Sequence, residues 1–363
     1  MRKPRAMTGG LANPTVEACS GGGAARLELR EAREMIKDLF RHDARIYWTD
    51  FLLSLLVAYG AAALYLSSPA FSARAIGAFA VAVFALFRCG VFIHEIVHMP
   101  GDRLRTFRVA WNVLFAVPAL MPSFTYESHL DHHNPRRFGT AKDGEYLALG
   151  TPPARRIVLY LLQVPLLPAL AIFRFLALTP VSFLHPRLRR VVRERASSYA
   201  INPGYRRVLG PNQRPPAWTV ALEIAIFLEL ASFLALIAAG TLTWLIAAQL
   251  YALGTCSAGL NGLRTLAAHR YRNTGATMSF AEQIEDSITI DGQPLLTALL
   301  FPLGLRYHAL HHWFPALPYH SLGRAHRRLM AQLPADSPYR HTMRTFLGAA
   351  RDLCGAALQR RAA

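Results

Sequence analysis

Residues 75–98 read AIGAFAVAVFALFRCGVFIHEIVH, an apolar run that ends in two histidines four positions apart. A helix of this length extends about 36 Å and so outlasts the ~30 Å hydrocarbon core of a bilayer. The sequence therefore predicts a transmembrane helix over residues 75–93 that carries His94 and His98 just beyond the lipid. Arg88, late in the same run, can extend its charged end to that membrane face.

The composition of the whole chain also indicates a membrane protein. Apolar residues make up 53% of the 363 residues and charged residues only 17%, whereas soluble domains average about 25% charged. This hydrophobicity excludes an intrinsically disordered chain. The four cysteines form no Cys-x-x-Cys pair, which excludes a disulfide scaffold, a zinc ribbon and an iron–sulfur centre. Although the net charge is +18, the arginines flank apolar stretches, so we expect no nucleic-acid partner.

Three further segments are apolar and long enough to cross a bilayer: residues 47–66, 218–240 and 242–260. Residues 157–178 are also apolar, but Pro165 and Pro168 interrupt them and both flanks belong on one membrane face. A re-entrant or surface-lying hairpin is predicted there. We predict an all-α integral membrane protein with four transmembrane helices and a helical cap on one side.

Charge and composition predict the orientation and the domain limits. The basic segment before the first span places the N-terminus in the cytoplasm by the positive-inside rule, and paired spans return the histidines and the C-terminus to that side. An arginine-rich, alanine-rich chain indicates a bacterial source, hence the inner membrane. Residues 1–24 are predicted to be a flexible tail, residues 25–345 one membrane domain, and residues 346–363 a basic C-terminal tail.

Histidine is concentrated in three short clusters: HEIVH at 94–98, HLDHH at 129–133 and HALHH at 308–312. Spacings of three and four residues place imidazoles on one face of a helix, and the predicted topology brings all three clusters to one membrane face. Eight imidazoles exceed the four ligands of a structural zinc and the three of a catalytic one, so two metal ions are predicted. Imidazole binds iron, copper, zinc and nickel alike, which leaves the metal open at this point.

His269 follows the last predicted span by a few residues and is a candidate ninth ligand on the same face. Acidic neighbours can compensate the charge of a metal held by neutral imidazoles, and Glu95, Asp131 and Asp286 are the candidates for that role. No catalytic residue is predicted outside the metal centre. The candidate ligands are His94, His98, His129, His132, His133, His269, His308, His311 and His312.

The order of these clusters, together with HHWFPALPYH at 311–320, resembles the integral-membrane fatty acid desaturase and hydroxylase superfamily over roughly residues 45–345. The resemblance implies a centre of two iron ions that uses O2 to desaturate a fatty acyl chain, carried as a membrane lipid or on an acyl carrier. A histidine after the fourth span commonly joins such a centre, as His269 would. Because the chain has neither a His-Pro-Gly-Gly haem motif nor Cys-x-x-Cys, a separate electron donor such as a ferredoxin is expected.

The histidine pattern leaves other functions open. The same centre can add oxygen instead of removing a second hydrogen, so a lipid hydroxylase or ketolase is the main alternative. His94-Glu95-x-x-His98 also fits the helix of a zinc metalloprotease, with Glu95 as general base, but that function leaves six or more histidines unused. A non-enzymatic metal or haem carrier is a further alternative. Soluble di-iron bundles need two Glu-x-x-His motifs, and only residues 95–98 provide one.

Overall fold

The computed structural model describes residues 23–99, 101–211 and 213–359, and nearly all of their regular structure is helical. The all-α prediction is therefore confirmed. The predicted flexible tail, residues 1–24, lies outside the described residues except for positions 23 and 24. The first nine α-helices are α1 (Gly23–Met35), α2 (Ala44–Ser67), α3 (Ala73–His98), α4 (Arg105–Trp111), α5 (His129–His132), α6 (Arg155–Leu162), α7 (Leu167–Ile172), α8 (Thr179–Phe183) and α9 (Pro186–Arg195).

The second half of the chain continues with long helices and then with short elements. Its α-helices are α10 (Ala217–Ala238), α11 (Trp244–Thr265), α12 (Phe280–Asp286), α13 (Pro294–Leu300), α14 (His308–Trp313), α15 (Tyr319–Gln332) and α16 (Phe346–Leu358). Turns of 3₁₀-helix cover Lys37–Phe40, Ser123–Tyr126, Val164–Leu166 and Pro338–Thr342, and π-helical turns cover Asn112–Ala116 and Phe173–Leu178. Two short strands, β1 (Thr289–Ile290) and β2 (Met343–Arg344), pair in parallel.

The helices α2 and α3 form an antiparallel hairpin whose ends are set by polar caps. The Asp43 side chain accepts a hydrogen bond from the Arg45 amide at 2.9 Å, and Ser72 accepts one from the Ala75 amide at 3.1 Å. Such caps satisfy amides that the first helical turn leaves without a partner. The hairpin fixes where α3 starts. The helix is 26 residues long and ends at His98.

Among the described residues, four helical stretches are long and apolar enough to cross a membrane: 44–67, 73–98, 155–183 and 217–238. The predicted span over 242–260 forms most of α11, but this helix carries Gln249 and Asn261 and is not one of the four. It nevertheless packs along α3, where the Ser257 hydroxyl donates to the Val83 carbonyl at 3.2 Å and Leu253 lies in one apolar cluster with buried residues of α3. Gly240, with φ of +73°, makes the turn between α10 and α11.

Residues 155–183 follow a bent path along α11 and then α10. Tyr160 donates to the Gly262 carbonyl at 3.4 Å near the end of α11, and Pro168 packs beside Gly254, two turns deeper. Further along, Arg174 binds Glu223 in the second turn of α10. A short turn joins the end of α10 to the start of α11, so the start of α10 and the end of α11 lie on the same side. The segment therefore enters beside α11 and returns beside α10. These contacts support the predicted re-entrant path.

The remaining elements form a cap over the histidine-bearing end of the long helices. The buried core there includes the rings of Trp313 and Tyr339, stacked with their centroids 5.3 Å apart. Helix α16, within the segment predicted as a basic tail, begins at a Thr345 cap and buries Ala349 and Leu353. The β1–β2 pair joins this C-terminal part to Thr289, which also bridges to Tyr307, the residue before α14 and its third histidine cluster.

Candidate metal centre

The nine candidate histidines lie in two adjacent groups under the cap. Each residue offers one ring nitrogen, and within each group these nitrogens lie within 4.8 Å of one another. All nine side chains are buried or half-buried. The first group contains His94, His98, His129, His133 and His311, and the second contains His132, His269, His308 and His312.

Helical geometry explains how neighbouring histidines separate between the groups. Residues four apart share a helix face, whereas consecutive residues point about 100° apart. His132 therefore faces the second group while His133, the next residue, faces the first. His311 and His312 divide in the same way on α14, so α14 and the short segment 129–133 each supply both groups.

The ring nitrogens within each group point toward one another. In the first group, His133 Nε2 lies 3.0 Å from His129 Nε2 and 3.1 Å from His311 Nε2. The Nε2 atoms of His94 and His98 are buried and have no hydrogen-bond partner among the described residues. Buried polar atoms without partners are costly, and a shared cation would satisfy all five rings at once.

The second group shows the same convergence. His269 Nε2 lies 3.1 Å from His132 Nε2 and 2.9 Å from His308 Nε2, and His312 Nε2 lies 3.2 Å from His308 Nε2. Neutral imidazole nitrogens suit iron, copper, zinc or nickel. The donor set therefore fits two transition-metal ions, one in each group.

Carboxylates lie beside the outer nitrogens of three of these rings. Glu145 Oε1 lies 2.8 Å from His129 Nδ1, and Asp143 Oδ2 lies 2.9 Å from His132 Nδ1. A carboxylate at this distance accepts the Nδ1–H, fixes the ring orientation and leaves Nε2 free for a metal. On His269, Nδ1 lies 3.3 Å from both Asp286 Oδ2 and the Ser287 hydroxyl.

Of the three acids predicted from the sequence, the structure brings only Asp286 to a histidine ring. Glu95 accepts hydrogen bonds from the Tyr47 hydroxyl at 2.6 Å and from the Tyr319 amide at 3.2 Å. Asp131 pairs with Arg137 and accepts a hydrogen bond from Tyr205. Both acids adjoin a histidine in sequence and therefore point to a different side of the helix, and in this structure neither forms a hydrogen bond with a histidine ring.

Asp143 and Glu145 were not predicted, although the sequence contains a signal for them. They are the only acids between Asp131 and Glu194, and they closely follow the second histidine cluster. Their hydrogen bonds to the rings depend on the turns over residues 134–149, which fold this segment back under α5. The histidine His320, in contrast, lies away from both groups and accepts a hydrogen bond from the Asp43 amide.

Burial and neighbouring charges set the ionisation of the site. Burial, and then the proximity of other imidazoles, holds the pKa of His129, His308 and His311 well below the ordinary value. These rings are therefore neutral and keep the lone pair that a metal ligand needs. For His132 burial acts in the same direction, but the nearby Asp143 carboxylate outweighs it and its pKa is raised.

The geometry does not suit a zinc protease built on residues 94–98. In that enzyme Glu95 would act as a general base on metal-bound water, whereas here both Tyr47 and Tyr319 hold its carboxylate elsewhere. The remaining histidines also complete the two groups instead of standing apart.

Comparison with known proteins gives the class to which this site belongs. The fatty acid desaturase family model matches residues 69–343, a range that contains all nine histidines. The chain belongs to this family of membrane oxidoreductases, which act on lipids. Among individual proteins, a ceramide hydroxylase of Caulobacter vibrioides (strain NA1000 / CB15N) is 38% identical over 312 residues, covering 85% of this chain and 88% of the relative.

Proposed function

We propose that this protein is a di-iron oxygenase that hydroxylates a C–H bond of ceramide or a closely related lipid. The convergence of nine imidazoles into two groups is the observation that carries the oxygenase chemistry. The similarity to a ceramide hydroxylase supports both the substrate and the outcome. It favours hydroxylation, the alternative drawn from the sequence, over desaturation of an acyl chain.

The nine histidines would hold two irons, which supply the activation of O2 needed to oxidise an unactivated C–H bond. The overall reaction converts R–H, O2, two electrons and two protons into R–OH and water. Asp143 and Glu145 keep the rings of His132 and His129 in position, and Asp286 places a carboxylate beside His269. Burial of the rings excludes bulk water, so the oxidising equivalents reach the lipid instead of the solvent.

The electrons come from a separate donor, for which we propose a ferredoxin-like protein. The lining of a small cavity includes His269, three arginines and one acid, which are Arg270, Arg272, Arg344 and Asp352. A basic rim steers an acidic carrier to the surface above a metal ligand. The same positive charge supports a cytoplasmic position for the histidines in a bacterial inner membrane.

Lipid analysis of cells that make ceramide, with and without this protein, tests the proposed function. We expect an O2-dependent ceramide product heavier by one oxygen atom. A product lighter by two hydrogen atoms would restore the desaturase function, and an unchanged lipid profile would reject both.

Two histidine substitutions, one in each group, provide the matched test of the site. His132→Ala and His311→Ala should each remove activity and lower the iron content of the purified protein, because each ring contributes directly to one group. His320→Ala is the control, since that ring contacts neither group. Full activity in either ring variant would contradict the proposed site.

A further inference from the structure

Arg264 is a buried cation in the last turn of α11, five residues before His269. Its side chain is 8% exposed. The Nη2 atom donates to Asn261 Oδ1 at 3.2 Å and to Thr265 Oγ1 at 3.3 Å. Its Nε atom is buried and has no acceptor among the described residues. Arg264 therefore has a donor free and a charge that no carboxylate in the described structure balances at contact distance.

Another buried arginine in the same protein shows what a satisfied guanidinium looks like. Arg174 is 5% exposed and forms an ion pair with Glu223. It also donates to Ser197 at 2.9 Å and to Thr179 at 2.9 Å. Removing a cation from water is costly unless a partner compensates it. The hydrogen-bond partners of Arg264 are all neutral. Its environment therefore lacks the kind of carboxylate acceptor that Glu223 provides for Arg174.

The end of α11 that carries Arg264 lies close to the second histidine group. The carbonyl of Thr265, the next residue, accepts a hydrogen bond from the Tyr271 hydroxyl at 3.0 Å. The ring of Tyr271 in turn lies 5.3 Å from that of His269, measured between centroids. A guanidinium beside a bound metal ion would meet like charge. A ligand with an electron-rich oxygen would relieve that repulsion and complete the hydrogen bonds of Arg264.

We infer that Arg264 donates a hydrogen bond to a polar oxygen of the lipid substrate and holds the polar end of that lipid beside the metal centre. The inference rests on the proposed function, because ceramide carries an amide carbonyl and hydroxyl groups at one end of its chains. The oxidised carbon then lies within a few bonds of the amide, and the rest of the chain extends toward the apolar helices. Arg264 is in this sense a specificity-determining residue.

Binding of two photoactivatable probes to the purified protein tests the role of Arg264 without turnover. One probe is a ceramide and the other an alkane of matched chain length. Arg264→Gln should weaken ceramide labelling by about tenfold, since hydrogen bonds to charged groups contribute roughly that much, and leave alkane labelling unchanged. Arg264→Lys, which keeps the charge, should lie between Arg264→Gln and wild type. Arg155→Gln, an exposed arginine at the start of α6, is the control and should match wild type.

The probes distinguish loss of recognition from loss of structure. Equal loss of both labels, or wild-type ceramide labelling in Arg264→Gln, would overturn the inference. If Arg264→Gln unfolds, as judged by its melting temperature, Arg264→Lys decides the question by the same ratio of labels.

Turnover separates this inference from the proposed function. If wild type hydroxylates ceramide, Arg264→Gln should raise KM more than it lowers kcat, and tandem mass spectrometry should place the new hydroxyl near the amide. A hydroxyl far along a chain would overturn the inference and leave the proposed function intact. If wild type binds the ceramide probe in an Arg264-dependent way but forms no hydroxylated product, the proposed function fails and the inference stands.

Discussion

At the scale of single residues, the candidate site depends on acids that orient imidazoles. Asp143 is fully buried, and its Oδ2 also accepts a hydrogen bond from the Gly139 amide at 2.9 Å. Burial alone would raise the pKa of Asp143, but the adjacent His132 and the hydrogen bonds from the Gly139 and Glu145 amides lower it. Asp143 therefore stays ionised and holds the Nδ1–H of His132 in one tautomer. The strength of metal binding should follow from that contact.

Asp143→Asn is expected to lower metal affinity by about 10- to 100-fold, the usual effect of removing a carboxylate behind a histidine ligand. The measurement is iron content after dialysis against graded chelator, with circular dichroism to verify that the helices remain. Asp131→Asn is the matched control, because Asp131 contacts Arg137 and Tyr205 and no histidine ring. Equal iron loss in the two variants would show that charge in this segment matters and the contact does not.

The nine histidines could be predicted from sequence because their arrangement is mainly local. Spacings of three and four residues define helix faces, and span lengths place those faces at one side of the membrane. Asp143 and Glu145 could not be assigned in this way, because they reach the rings only through the turns that follow α5. Glu95 and Asp131 were chosen as candidates because each lies next to a histidine in sequence. Consecutive residues on a helix point in different directions, so these two side chains point away from the rings.

At the scale of elements, the segment 155–183 is tied to α10 by a buried charge cluster. Glu223, 1% exposed, accepts hydrogen bonds from Arg174 and from Arg189. The two arginines come from the π-helical turn and from α9, so one carboxylate joins three pieces of chain. Proline positions in the sequence indicated that this segment bends, but the partner that holds the bend is distant in sequence and could not be predicted.

Glu223→Gln should destabilise the fold by about 3–5 kcal/mol, because it leaves two arginines without a charge partner in a buried environment. The melting temperature of the detergent-solubilised protein should fall accordingly. Glu34→Gln removes the exposed pair with Lys37 and should leave the melting temperature unchanged, as exposed ion pairs contribute little. Similar melting temperatures for Glu223→Gln and wild type would mean that the cluster does not stabilise the bend.

At the scale of the whole molecule, the long helices and the cap place the chemistry at one membrane face. The helices α3 and α11 pack side by side, with Ser257 in contact with Val83. Helix α3 ends at His98, and α11 ends just before His269, so both helices end at the histidine groups and run in the same direction. The α2–α3 turn and the α10–α11 turn therefore lie at the opposite end. Hydropathy predicted these helices, but it could not predict that α11 lies against α3 while the re-entrant segment extends from α11 to α10.

The arrangement predicts a labelling pattern in intact bacteria. After the native cysteines are replaced by serine, Ala70→Cys and Thr241→Cys should react with a membrane-impermeant maleimide, because both exposed turns would lie outside the inner membrane. Arg272→Cys, exposed beside the His269 cavity, should react only after lysis, because the positive-inside rule places the basic cap in the cytoplasm. The reverse pattern would place the oxygen chemistry and its electron donor on the other side. Labelling of all three positions in intact cells would instead indicate that the chain does not adopt one orientation.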